Sequence, residues 1–233
     1  MATDNRYQST DRLADLIADN FMLLMVLSRF NIPLGFGDKS VGEVCKHNKV
    51  DCDTFLAVAN FISGDNSSFD TNTLPSLSLP ALVSYLKNAH SYFLEFNLPM
   101  MKRKLIDALD CSGENKVAAL IIRYYDEMVA EVRSHMEYEN THVFAYVENL
   151  LQGKHNKHFS IAKFAGHHEQ IDERVNELKN IIIKYYSGNG DNNLLNAVLY
   201  DIFSCEQDLV SHRQVEDCLF VPAVAQLEER MKK

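Results

Sequence analysis

Proline and glycine are scarce, at five and nine residues in a chain of 233, and long stretches hold neither. A turn-rich β protein needs both at its hairpins, so their scarcity argues for helices. A basic face is missing as well. The formal charge is −9, and the one tight basic run, Lys102-Arg103-Lys104, reads as solvated helix surface; nucleic acid is therefore excluded as a partner. No apolar run reaches membrane-spanning length, and FMLLMVL at residues 21–27 reads as a buried helix. The N-terminal MATDNRYQSTDRLADL is polar and acidic, unlike a signal peptide. The five cysteines (Cys45, Cys52, Cys111, Cys205 and Cys218) are odd in number and form no C-x-x-C pair. Together these features predict reduced thiols in a cytoplasmic chain, with Cys205 and Cys218 as ordinary core residues.

Hydrophobic residues make up 46% of the sequence, enough to build a core and to exclude wholesale disorder. A first helix is expected over 9–30, opened by Ser9-Thr10-Asp11 and closed near Asn31-Ile32-Pro33. Ser40 and Asp51 are placed to cap two short helices, through Cys45 and through Ile62. Residues 1–64 thus form a small helical unit. SGDNSSFDTNTLPSLSLP follows without any period, and 65–80 reads as a linker. Four long amphipathic segments then run over roughly 81–110 (bent near Pro99), 113–151, 157–187 and 191–229. Short separators force antiparallel neighbours, so 81–233 is expected to be an up-down-up-down four-helix bundle in an all-α protein.

SHMEYENTHVF, residues 134–144, sets His135 and Glu139 one helical turn apart on one face. SHRQVEDCLFV, residues 211–221, repeats that spacing with His212 and Glu216. One such pair is ordinary, since an ion pair on a helix surface contributes only about 0.2–0.5 kcal/mol. Two pairs on core-directed faces are a different matter, because buried charge is seldom retained without partners. The other two segments each add a histidine, His90 and His168, so that an up-down path can bring four imidazoles and two carboxylates to one level. His167 neighbours His168 but points about 100° away; His168 shares a face with Ile161, Phe164, Ile171 and Val175 and is the expected ligand. Six nitrogen and oxygen donors without thiolate suit a two-metal site, with carboxylates able to bridge two ions. Tyr85, Tyr125 and Glu131 are candidates to line it. His47, His142, His155 and His158 are expected at the surface.

The order H…H-x-x-x-E…H…H-x-x-x-E resembles the hemerythrin-type di-iron bundles, and in particular the RIC family (repair of iron centres, YtfE/ScdA type). HSYFLEFNLP at 90–99, GHHEQIDERVNEL and SHRQVEDCLFVPAV are similar to that family's first, third and fourth bundle helices. LSRFNIPLGFGDKSVGEVC resembles its small ScdA-type N-terminal domain, although Gly35-Phe36 stands where the family carries a Cys-Cys pair. Cys45 and Cys52 take that pair's place only if the fold brings them together. The resemblance implies a metal site of His90, His135, Glu139, His168, His212 and Glu216 holding two non-haem iron ions, oxo-bridged. It implies a role in repairing iron–sulfur clusters after oxidative or nitrosative stress, by iron donation or nitric oxide chemistry. The partners implied are damaged iron–sulfur proteins, or O2 or NO as ligand, with no membrane and with a homodimer admitted as the assembly. An O2/NO-binding sensor or carrier without turnover is the alternative.

Overall fold

The structure is a computed structural model that describes residues 7–64, 76–109, 115–154, 159–163, 169–187 and 190–231. It is all-α: among the described residues no strand is present, only an isolated antiparallel bridge between Arg12 and Ser40. Contacts divide the chain into two compact units, one of Met1–Ala89, Tyr146–Lys163 and Gln214–Lys233, the other of His90–Ala145 and Phe164–Arg213.

The first unit opens with α1 (Leu13–Asp19), α2 (Leu23–Arg29), α3 (Val41–Asn48) and α4 (Cys52–Ser63). The single helix expected over 9–30 is thus two. Asn20 leaves helical geometry, its backbone N–H closes α1 on Leu16, and its side-chain oxygen accepts from the Met22 N–H to start the next turn. Phe21, at the break, is exposed. The expected opening cap also differs. Arg12 holds the N-cap position without a side-chain bond, while Asp11 accepts from the Gln8 N–H instead.

Ser40 caps α3 as expected, in a full capping box with Glu43. The helix runs one turn beyond Cys45 and stops at Lys49, whose positive φ of 58° releases the chain. Asp51 then accepts from the Thr54 N–H and caps α4. Ser40→Ala removes one half of the box and is expected to cost about 1 kcal/mol; an unchanged urea midpoint would contradict this. Along this turn the Cys45 and Cys52 thiols meet in a hydrogen bond, and burial pushes the Cys45 thiol up to about 12, so it stays protonated. Cys218, expected in the core, is exposed.

The core of this unit stacks Phe30 edge-on to Phe55 at 5.5 Å and against Tyr85 of α5 (Leu79–Ser91) at 5.0 Å. Arg29 is buried, with its guanidinium over the Tyr85 ring. Asn88 donates to the Arg29 carbonyl, tying α5 to α2. Glu228 of α11 (Val221–Met231) accepts from the Tyr146 hydroxyl of α8 (Phe144–Leu151) and from the Ile161 N–H.

The second unit holds α6 (Leu98–Ala108), α7 (Lys116–Tyr138), α9 (Glu169–Tyr185) and most of α10 (Asn192–Val215). Its third helix is shorter than the expected 157–187. Ile161–Lys163 form a 3-10 turn, and the described α-helix begins at Glu169. Tyr125 donates to the Leu98 carbonyl at 2.8 Å and joins α7 to α6. Arg174 of α9 makes a two-pronged pair with Glu131 of α7.

Among the described residues three π-turns interrupt the long helices, at Tyr92–Asn97, Glu139–Val143 and Glu216–Phe220. Two have proline two residues beyond them, Pro99 and Pro222. Proline lacks the N–H and its ring crowds the carbonyl four residues back, so the α ladder cannot pass through it unaltered, and the wider π-turn takes up the mismatch. The middle one has no proline. There the Thr141 hydroxyl donates to the Glu137 carbonyl at 2.7 Å, competing for an acceptor of the regular ladder.

Candidate metal centre

Each residue of the two H-x-x-x-E motifs sits where an α-helix meets a π-turn. His135 lies in the last turn of α7, and Glu139 opens the middle π-turn. His212 lies in the last turn of α10, and Glu216 opens the third. His90 is in the last turn of α5, just before the first.

His90, Glu139, His212 and Glu216 gather with ligand atoms within 4.8 Å of one another, all four residues buried. The Nε2 atoms of His90 and His212 are 3.2 Å apart. That is close to the separation of two ligands on one ion with metal–nitrogen bonds of about 2.0–2.1 Å. Glu139 reaches two imidazoles with its two oxygens. Oε1 is 2.8 Å from Nε2 of His135, and Oε2 is 3.1 Å from Nε2 of His90. Phe144 stacks on the His90 ring at 5.5 Å, and Phe93 meets His212 edge-on at 5.9 Å, an apolar wall that keeps water from the cluster.

A family model for the hemerythrin HHE cation-binding domain matches residues 81–224, more than half of the chain. The chain belongs to the hemerythrin family. No curated protein matches it significantly. The all-α architecture is that of a hemerythrin-like helical bundle.

The donor set fits the cation such a hemerythrin domain is named for. Two carboxylates, 0% and 1% exposed, place like charges together out of water, an arrangement that costs several kcal/mol without positive charge beside it. Imidazole nitrogen with carboxylate oxygen, and no thiolate, suits iron or a similar first-row ion. The His/Glu cluster is therefore a candidate metal-binding site of this hemerythrin chain.

Of the six expected residues, four form the cluster and His135 adjoins it through Glu139, with its side chain 19% exposed. His168, like His167, His155 and His158, lies outside the described residues. His47 and His142 are exposed, the latter stacked on Tyr138. The three candidate lining residues are engaged elsewhere: Tyr85 with Arg29, Tyr125 with the Leu98 carbonyl, Glu131 with Arg174. Two side chains escaped the sequence reading. Asp208 is buried one turn before His212, and its D-x-x-x-H-x-x-x-E spacing was a usable signal. Asn140 touches His90, and nothing in a helical reading of the sequence indicates it.

Proposed function

We propose that this hemerythrin-family chain is a di-iron protein of the RIC type, acting in the repair of damaged iron–sulfur clusters. The observation that supports it most is Glu139 set between His135 and His90, one oxygen to each, as a carboxylate bridging two ions would be. Glu216, buried at the corresponding point of the second motif, is assigned as the second bridge. His90, His135, His168 and His212 complete the ligand set. Non-haem iron held by imidazole and carboxylate supplies redox chemistry and open positions for O2 or NO. The protein's own contribution is to hold the donors in register and to shield them with Phe93 and Phe144. Residues 1–64 are assigned as an N-terminal domain of a cytoplasmic protein; most of the linker expected over 65–80 lies outside the described residues. Among the described residues no helix is long and apolar enough to cross a membrane.

The test is iron content after anaerobic reconstitution, followed by reactivation of an iron–sulfur enzyme inactivated with nitric oxide. About two irons per chain together with reactivation is the expected result. One tightly bound ion, or none, would overturn the di-iron reading. Two irons without reactivation, but with reversible O2 or NO binding, would favour a sensor or carrier. Gly35-Phe36 in place of a thiol pair, and a Cys45 thiol kept protonated by burial, lean towards that second reading. His168→Ala is expected to lower iron content and His167→Ala to leave it unchanged; the reverse would exchange the two assignments.

A further inference from the structure

The His90 ring is engaged through both of its nitrogens. Nε2 faces the cluster, 3.1 Å from Glu139 and 3.2 Å from His212. Nδ1 lies 3.0 Å from the side-chain oxygen of Asn140. Two successive residues of one helical segment thus meet the two nitrogens of one imidazole. In an α-helix, neighbours diverge by about 100°, and one of the pair would turn aside. Glu139 and Asn140 are the first two residues of the middle π-turn, where the wider turn narrows that angle.

We infer that Asn140 is a positioning residue for His90: its amide oxygen accepts the Nδ1–H and so holds the Nε2 lone pair towards Glu139 and His212. The inference rests on reading the cluster as a metal site. A neutral imidazole carries one N–H, and the hydrogen bond made by one nitrogen decides which nitrogen is free to ligate. An amide oxygen can only accept, so its approach to Nδ1 favours the Nδ1–H tautomer once a cation at Nε2 displaces the proton that the Glu139 oxygen, 3.1 Å away, would otherwise accept. Phe144, stacked on the ring, fixes its plane but cannot choose between tautomers. The Thr141 hydroxyl, bonded to the Glu137 carbonyl, supports the π-turn that brings Asn140 into place. Partners of this kind orient metal-binding histidines and raise their basicity, and removing one typically costs about 10–100-fold in metal affinity.

Two measurements test the assignment. The first is anaerobic competition of the metal-free full chain against a chromophoric chelator for iron(II). Asn140→Leu, which cannot accept a hydrogen bond, is expected to bind about 10–100-fold more weakly, whereas Asn140→Asp, which keeps the acceptor, is expected to restore binding. Equal affinity for Asn140→Leu and wild type, or Asn140→Asp as weak as Asn140→Leu, overturns the assignment. The second needs no variant: long-range proton–nitrogen NMR of the wild type loaded with zinc(II), a diamagnetic ion that takes the same imidazole and carboxylate donors. His90 protonated at Nδ1 is the expected result, and protonation at Nε2 overturns it. A wild-type chain that takes up no iron(II) fails the metal-site reading itself, whereas a binding wild type with an unaffected Asn140→Leu fails only the role of Asn140.

Discussion

Glu139→Ala abolishes the rise in melting temperature that iron(II) gives to the wild-type chain. An ion that binds the folded state alone stabilises it by about 4 kcal/mol when present at a thousand times its dissociation constant. In a chain of this size each kcal/mol moves the melting temperature by about 2–4 °C, so the wild type should gain roughly 10 °C on loading and lose it again in chelator. Glu139 reaches both His90 and His135, and alanine there takes the shared carboxylate from each imidazole. In the metal-free chain the same substitution removes a buried side chain that touches two imidazoles, so the variant should also melt below metal-free wild type. Calorimetry of both chains, with iron(II) and with chelator, separates that loss from the lost response to iron. A variant that still gains 10 °C with iron would rule out Glu139 as a ligand.

Phe144→Ala is expected to lower the stability of the metal-free chain by about 3–5 kcal/mol, the usual consequence of emptying a buried aromatic position. Phe144 is 0% exposed and its ring lies 5.5 Å from that of His90, at an interplanar angle of 27°. Deleting it therefore both opens a cavity and lets the imidazole tilt away from its partners. The corresponding fall in melting temperature is roughly 6–20 °C. A fall of only a degree or two would mean that neighbouring side chains fill the space and that the His90 ring is held by other contacts.

The two H-x-x-x-E motifs were legible because a spacing of four means the same thing at any point of an α-helix: one face, one turn apart. The caps were legible for a similar reason. Ser40 with Glu43 three residues on, and Asp51 ahead of an apolar run, satisfy backbone N–H groups through local bonds that need no tertiary context. The break at Asn20 was not legible, because the apolar spacing of Leu13, Leu16 and Leu24 continues across it. Only the side chain's competing bond to the Met22 N–H reveals the new start. Cys218 was misplaced because the burial habit of free cysteine was set above its position: two residues past Glu216 it lies off the buried face, and it is exposed. Asn140 was invisible for a different cause. A reader who assumes an α-helix points it away from whatever Glu139 faces, and the Thr141 bond that alters the local pitch looks like any other threonine on a surface.

That change of pitch has a consequence for how the chain tolerates change in length. A π-turn amounts to one surplus residue taken up inside a helix, and the helical stretches on either side keep nearly the phase they would have without it. Val143, Phe144 and Val147 are buried beyond the middle one. Deleting a single residue between Tyr138 and Val143 would close the wide turn into a regular helix and leave all three close to the face they now present. What would be lost is the wide turn itself, and with it the placement of Glu139 and Asn140 on the two nitrogens of His90. A shortening at this point therefore spares the apolar core and strikes the cluster, the reverse of what a deletion elsewhere in a helix does.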